Sequence, residues 1–279
     1  MNIDNENDAY WSELSGTRAA AKLGIAPSDP NGHVVFDEWF FWYYPYLANT
    51  SVIPWSDLVG KQVLEVGLGY GSVGRKAIKC GALYTGIDVA RGPIDFLSKT
   101  TQIHTATFLQ ESVLTMPFPD NSFDYVISIG CLHHSGDLPK ALEECIRVLR
   151  PGGTIILMVY SALSYKRWIT RPLETFRRNK HAHVMHQTSQ HENRDAWWYD
   201  RKADGTSAPS TVFTTTKEIE NMLSKTSIKS IEIKNIDNVQ DLLPTRLQIR
   251  ALDRVRIAAL RLPFLKRIGL DIYATATKL

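Results

Sequence analysis

From Lys61 onward the chain alternates short apolar runs with amphipathic stretches. Val63 to Val66 is an apolar run closed by Gly67, the mark of a buried strand. Val73, Ala77 and Ile78 follow at helical spacing, and Gly81 is placed to end that helix. Leu83 to Ile87 predicts a second strand ending at Asp88, Thr105 to Leu109 a third, and Tyr125 to Ile129 a fourth. Leu138, Leu142, Cys145, Ile146 and Leu149 repeat at helical spacing until Pro151-Gly152-Gly153 stops them. Thr154 to Val159 is a fifth strand, apolar almost throughout. Strand, helix, strand in series predicts a parallel sheet covered on both faces. Further on, Thr215 and Glu218 form a capping box ahead of a helix through Ile219, Met222 and Leu223. Ile228 to Ile236 and Leu270 to Thr277 predict the last two strands.

Three stretches depart from this rhythm. Residues 1–60 read as mostly helical, with a turn at Pro27 to Gly32. Within them, Phe36 to Tyr46 is crowded with rings: Phe36, Trp39, Phe40, Phe41, Trp42, Tyr43, Tyr44 and Tyr46. A helix packing its rings on a core explains such a stripe first, and a lid over an apolar pocket second. Residues 161–212 are polar, carry His181, His183, His186, His191 and the pair Trp197-Trp198, and read as a cap or insertion. Pro244 to Arg267 reads as a mainly helical stretch, with a break expected near Pro263.

Composition narrows the class without naming the chemistry. The 279 residues are 44% apolar and 22% charged, which excludes disordered and collagen-like chains. No apolar stretch approaches the roughly 18 residues of a spanning helix. The acidic, polar start MNIDNENDAY opposes a signal peptide, and three widely separated cysteines fit reduced thiols, so a cytoplasmic location is expected. A net charge of +3 gives no reason to expect nucleic acid.

The candidate chemistry centres on Val63-Leu64-Glu65-Val66-Gly67-Leu68-Gly69-Tyr70-Gly71-Ser72-Val73-Gly74. Glycines at a strand-to-helix turn let the backbone approach a ligand, with the amides of the helix start pointing at it. Asp88, at the end of the second strand, is placed to accept both hydroxyls of a ribose. Gly69 to Gly74 matches the dinucleotide template G-x-G-x-x-G, but read from Gly67 the loop is G-x-G-x-G with Glu65 two residues before it. A carboxylate there repels a pyrophosphate and suits a cationic ligand, which favours S-adenosylmethionine over NAD.

Five ordered motifs make a resemblance specific. Val63 to Gly71, Gly86-Ile87-Asp88, Met116-Pro117-Phe118-Pro119-Asp120-Asn121-Ser122-Phe123-Asp124, Ser128-Ile129-Gly130-Cys131-Leu132-His133-His134 and Arg147-Val148-Leu149-Arg150-Pro151-Gly152-Gly153 span residues 63–153. Together they resemble the class I S-adenosylmethionine-dependent methyltransferases of the small-molecule type. The resemblance implies an α/β, Rossmann-like, doubly wound seven-stranded sheet, mostly parallel with an antiparallel last strand. With the patterning along the chain, the expected division is an N-terminal helical lid (1–60), a cofactor-binding core (61–160), a cap (161–212) and the C-terminal part of the core sheet (213–279). The resemblance implies S-adenosyl-L-methionine as cofactor and S-adenosyl-L-homocysteine as product. Gly67, Gly69 and Gly71 would line its methionine and ribose portions, Glu65 would lie near its ammonium, Asp88 would hold the ribose, and Val89 would pack on the adenine. Where many members place an aspartate against the adenine, this chain has Ser112 after Glu111 and before Val113. Ile129 and Gly130 would flank the cofactor beyond the fourth strand.

The acceptor end is less legible. A hydroxyl acceptor must lose its proton, and His133 and His134 sit where the family places the acceptor, with His134 ahead by resemblance. Tyr160 is a lesser candidate. The spacing of the histidines from 181 to 191 does not suit a metal, so none is expected. The basic residues from Arg246 to Arg267 read as a solvated helix face, with peripheral membrane contact as the alternative. The expected reaction is O-methylation of a sugar or secondary-metabolite hydroxyl on a small-molecule acceptor. The alternatives are N- or C-methylation of a lipid- or quinone-like acceptor, a non-catalytic cofactor-binding protein, and a nicotinamide-dependent oxidoreductase.

Overall fold

The computed structural model describes residues 3–12, 17–26, 29, 31–101, 106–180, 200, 205–236 and 268–279. Seven strands form one sheet: β1 Gln62–Val66, β2 Leu83–Asp88, β3 Ala106–Gln110, β4 Phe123–Ile129, β5 Leu149–Tyr160, β6 Ile228–Ile236 and β7 Asp271–Lys278. Their order is β3-β2-β1-β4-β5-β7-β6. The first five are parallel, and β7 lies antiparallel between β5 and β6. The expected seven-stranded, mostly parallel sheet is present, and two antiparallel pairings close it. β5 begins five residues before the expected Thr154, because Leu149 already pairs with Phe123 and the Pro151-Gly152-Gly153 segment is taken into the strand across a register shift.

Ten helices accompany the sheet among the described residues: α1 Ile3–Trp11, α2 Thr17–Lys22, α3 Gly32–Tyr43, α4 Pro45–Ala48, α5 Ser72–Lys79, α6 Arg91–Thr100, α7 Leu138–Val148, α8 Tyr165–Thr170, α9 Pro172–Lys180 and α10 Thr216–Ser224. Helix α6 is not among the elements expected from the sequence pattern. Its Arg91-Gly92-Pro93 start looks like a breaker, yet the proline falls in the first turn, where a missing backbone donor costs nothing.

The parallel strands are apolar on both faces because each face is roofed by helices. Leu64, Val66, Val126, Ile155 and Leu157 pack with Leu142, Cys145 and Ile146 of α7 and Ile219 and Leu223 of α10. Val63, Tyr84, Ile127 and Ile156 pack with Val73, Ala77 and Ile78 of α5, Ile94 and Leu97 of α6, and Leu47, Ile53 and Leu58 of the N-terminal region. Two of the sequence motifs are joints of this frame. The Arg147 guanidinium donates to the carbonyls of Phe118 (2.7 Å) and Met116 (3.1 Å) and pairs with Asp120 and Glu144, which clamps the 116–120 loop to α7.

The predicted capping box is formed at α10: Glu218 N–H donates to Thr215 Oγ1 (3.2 Å), and Thr215 N–H donates to Glu218 Oε2 (2.8 Å). Thr215→Ala is expected to lower stability by about 1 kcal/mol in chemical denaturation, the usual cost of a lost N-cap. No described helix is long and apolar enough to cross a membrane. The histidines at 181, 183, 186 and 191, the pair Trp197-Trp198 and the basic segment from Arg246 to Arg267 lie outside the described residues.

Candidate active site

A cavity of about 380 Å³ opens at the carboxyl ends of β1, β2, β4 and β5. Open α/β sheets bind ligands at this edge. Its floor comes from the strand ends and the loops that leave them: Glu65 in β1 with Gly67, Gly69 and Gly71 after it, Asp88 ending β2 with Val89 after it, Glu111 and Val113 after β3, and Ile129 ending β4 with Gly130 after it. Its roof comes from the N-terminal helices, through Trp11 of α1 and Phe36, Trp39 and Phe40 of α3.

The glycine loop is built around two positions that only glycine fits. Gly67 has φ +82°, and a Cβ there would lie 2.5 Å from the Cys131 sulfur. Gly71 has φ +83°, and a Cβ there would lie 2.7 Å from Leu97. The chain thereby turns from β1 into α5 with its backbone bare to the cavity.

Two carboxyls lie in the floor, Glu65 buried and Asp88 half-buried. Glu65 is on the β1 face that packs against α5, is 3% exposed, and accepts a hydrogen bond from the Tyr84 hydroxyl at 2.5 Å. Burial pushes its carboxyl up to about 8, against the opposing pull of the Tyr84 hydrogen bond and the Arg75 charge. Asp88 accepts the backbone N–H of Leu68 (2.8 Å) and of Ala90 (2.9 Å), so it also shapes the loops on either side. Burial raises its carboxyl to about 6 in spite of those bonds.

The roof is tied to the floor. Asp37 of α3 receives Nε and Nη2 of Arg75 at 2.7 and 2.6 Å, and the Ser72 hydroxyl at 2.6 Å. Arg75 also donates to the Tyr70 carbonyl at 2.7 Å, and the Phe36 ring stacks on Tyr70 at 3.9 Å. The aromatic segment divides between interior and cavity. Phe36 and Tyr43 are buried, while Phe36, Trp39, Phe40 and Tyr44 line the cavity.

At the other end of the cavity the two adjacent histidines separate. His134 lines it; His133 is fully buried behind, its ring 4.1 Å from those of His134 and Tyr160, and burial holds its imidazole well below the usual range. His134 Nδ1 lies 2.7 Å from the Ser210 carbonyl, and its Nε2 faces Asp200 Oδ2 at 3.3 Å. Helix α1 presses on the same loop: Asn7 Nδ2 donates to the His134 carbonyl at 2.9 Å, and Trp11 lies 5.0 Å from the imidazole. His133, His134 and Asp200 bring one ligand-type atom each to within 4.8 Å of one another.

Most of the sequence-derived set therefore converges on one cavity. Ser112 departs from it, because its hydroxyl turns to cap the following turn, accepting from Leu114 N–H at 3.2 Å, which leaves Glu111 and Val113 on the cavity wall. Several wall residues escaped the sequence reading: Asp4, Asn7, Trp11, Met158, Asp200 and Tyr273. Asp200 follows a polar stretch with no periodicity, and nothing in its neighbourhood singles it out.

A glycine cradle closed to any side chain, an acid at the end of β2, a buried acid at the end of β1 and the β7 insertion define a class I, Rossmann-like cofactor domain. Residues 64–157, about a third of the chain, match the family model described as a methyltransferase domain. Over 100 residues the chain is 37% identical to a fatty-acid O-methyltransferase of Mycolicibacterium smegmatis, covering 35% of this chain and 36% of that one. Over 102 residues it is 30% identical to a demethylmenaquinone methyltransferase of Tropheryma whipplei, covering 37% and 43%. The matches thus span well under half the length of these curated relatives. An S-adenosylmethionine-dependent methyltransferase structure from Thermotoga maritima superposes with a TM-score of 0.53 at 15% identity, covering 88% of this chain and 95% of that one, which shows a shared fold. S-adenosyl-L-methionine is the cofactor of such a domain. The residues present suit it: the cradle leaves room for its backbone-hugging portions, Asp88 offers acceptors at the ribose position, and Glu65 supplies a buried acid toward an ammonium.

Proposed function

We propose that the protein transfers a methyl group from S-adenosylmethionine to a small, largely apolar acceptor. The observation that carries this reading is the composition of the cavity. Its floor holds the family's cofactor positions, while its roof and far wall are Trp11, Phe36, Trp39, Phe40, Tyr44 and Met158. Glu65, Gly67, Gly69, Gly71, Asp88, Val89, Glu111, Val113, Ile129 and Gly130 hold the cofactor in this reading, and His134 stands at the acceptor end. When bound, the cofactor supplies an activated methyl on a sulfonium centre. The chain's own contribution is to hold an acceptor atom in line with that methyl, about 3 Å from it, and to exclude water under the aromatic roof.

Two acceptor classes are expected from the sequence, a sugar hydroxyl and a lipid- or quinone-like molecule. The aromatic roof of Trp11, Phe36, Trp39 and Phe40 favours the second, while Asp4, Asn7, His134 and Asp200 supply the polar part of the wall. Relatives whose names refer to a fatty acid and to demethylmenaquinone support that choice. The test is turnover of methyl-labelled S-adenosylmethionine against hexadecanoate, a prenylated naphthoquinol and a panel of glycosides. Transfer to one of the first two is expected. Transfer confined to glycosides would overturn the acceptor class, and failure to bind S-adenosylhomocysteine in calorimetry would overturn the activity itself.

A further inference from the structure

The pair formed by His134 and Asp200 is one proton short of a hydrogen bond. A carbonyl oxygen only accepts, so the 2.7 Å contact to Ser210 requires that His134 Nδ1 carry a proton. In a neutral imidazole the lone pair then sits on Nε2. That lone pair faces a carboxylate oxygen, Asp200 Oδ2, at 3.3 Å. Both atoms are buried, and neither makes a hydrogen bond among the described residues. Leaving buried polar atoms unsatisfied is costly, and a single proton placed between them relieves both.

The surroundings direct such a proton to this pair. Asp200 Oδ1 accepts the Tyr160 hydroxyl at 3.0 Å, which fixes the carboxylate and leaves Oδ2 toward His134. The Asp200 carbonyl accepts the Tyr10 hydroxyl at 3.1 Å, which anchors the backbone to α1. His133 packs on the other side of His134, and burial keeps its imidazole uncharged, so it does not compete for the proton. The remaining neighbours from α1 are Trp11, against the imidazole, and Asn7, on the His134 carbonyl; Asp4 lies in the same cavity wall. Of the two members, Asp200 is the more open, with its side chain 16% exposed against 5% for His134.

We propose that Asp200 is a catalytic residue that takes the proton released by the methyl acceptor and shares it with His134 Nε2. This rests on the methyl-transfer reading above. In the step, a bond forms between the acceptor's heteroatom and the methyl carbon. The carbon–sulfur bond breaks and leaves its electron pair on sulfur, which becomes a neutral thioether. The acceptor's proton passes to Asp200 Oδ2 and completes the bridge to Nε2, from which solvent removes it after product leaves. Histidine-based proton removal, expected from the sequence, becomes a joint property of two side chains.

Imidazole nitrogen-15 spectra of the protein loaded with S-adenosylhomocysteine test the pair without any acceptor. Nδ1 of His134 is expected to show the signal of a protonated nitrogen and Nε2 that of a hydrogen-bonded one. In Asp200→Asn the Nε2 signal is expected to change, because the facing negative charge is gone. Tyr160→Phe, which strips a hydrogen bond from the carboxylate, is expected to change it too, and it carries the test if Asp200→Asn does not fold. An Nε2 signal identical in the folded variants and the wild type would overturn the proposal. So would a stoichiometric transition metal retained by the purified protein, because the lone pairs would then be occupied. With the acceptor turned over above, Asp200→Asn is expected to lower kcat by roughly 10²–10⁴-fold, the range for proton-transfer catalysis, with KM and S-adenosylhomocysteine affinity within about threefold. Asp200→Glu should restore part of kcat. A rise in KM with kcat intact would assign Asp200 to packing. If no acceptor turns over, methyl transfer fails as a reading while the spectra still decide whether the pair holds a proton.

Discussion

Glu65→Gln is expected to stabilise the fold in mildly alkaline solution and, in the same variant, to weaken cofactor binding. The two effects share one cause. An ordinary glutamate loses its proton near 4.5 in the unfolded chain, whereas the buried Glu65 holds its proton up to about 8. Between those values the folded state binds more protons than the unfolded state, so this group's contribution to stability falls as pH rises through the window. Above about 8 the folded protein carries a buried carboxylate whose partners are the Tyr84 hydroxyl and the more distant Arg75. A neutral amide of the same shape avoids that burden. Chemical denaturation at about pH 8.5 is expected to show a gain of about 2–4 kcal/mol over the wild type, shrinking toward zero near pH 4.5. Equal stability of variant and wild type across the range would mean that Glu65 ionises freely in the fold. Binding responds with the opposite sign. An ammonium beside Glu65 favours the carboxylate, so the wild type should release up to one proton on binding at neutral pH, seen as calorimetric heats that depend on the buffer's ionisation enthalpy. Glu65→Gln should bind with no such dependence from this site and about tenfold more weakly.

The second large effect is expected at Asp88. Asp88→Ala should weaken S-adenosylhomocysteine binding by about 1.5–3 kcal/mol, the usual range for hydrogen bonds to a charged group. The carboxylate also accepts the N–H of Leu68 and Ala90, so part of the loss comes from the slackened loop. Asp88→Asn separates the two contributions, because the amide oxygen still accepts one backbone bond while the charge is gone. Calorimetry on both variants, beside their melting temperatures, is the measurement, and unchanged affinity in a folded Asp88→Ala protein would remove Asp88 from the ribose position. The raised carboxyl sets a pH limit as well. Affinity in the wild type should fall as pH drops through about 6, where Asp88 takes up its proton.

What the chain discloses in advance follows from how local each signal is. The parallel strands, the glycine turn and the α10 capping box were legible because each depends on a few consecutive residues whose pattern is the cause of the structure. The helix after β2 was not, because Gly92-Pro93 carries the signature of a break and only its position in the first turn makes it harmless. Ser112 and Glu111 could not be told apart as adenine contacts in sequence; the structure turns the Ser112 hydroxyl to accept from the Leu114 N–H and lines the cavity with Glu111. His133 and His134 could not be told apart in sequence. The turn of Leu132–His134 sends one ring into the interior and the other to the cavity. Asp200 was invisible for a different reason. Its partners Tyr10, His134 and Tyr160 lie up to 190 residues away, and nothing near it in the chain records that they meet.

The Asp37–Arg75 tie has a consequence for how such a protein diversifies. The cavity is made in two parts, a floor contributed by the sheet and a roof contributed by helices that precede it, and on the glycine-loop side they meet where one carboxylate grips a guanidinium and a hydroxyl and where Phe36 stacks on Tyr70. A graft of a foreign N-terminal segment that preserves Asp37 and Phe36 keeps this joint onto Arg75, Ser72 and Tyr70, and with it a loop already shaped for the cofactor. A ring that faces the cavity, such as Trp39, is then the place to fit the roof to a new guest molecule.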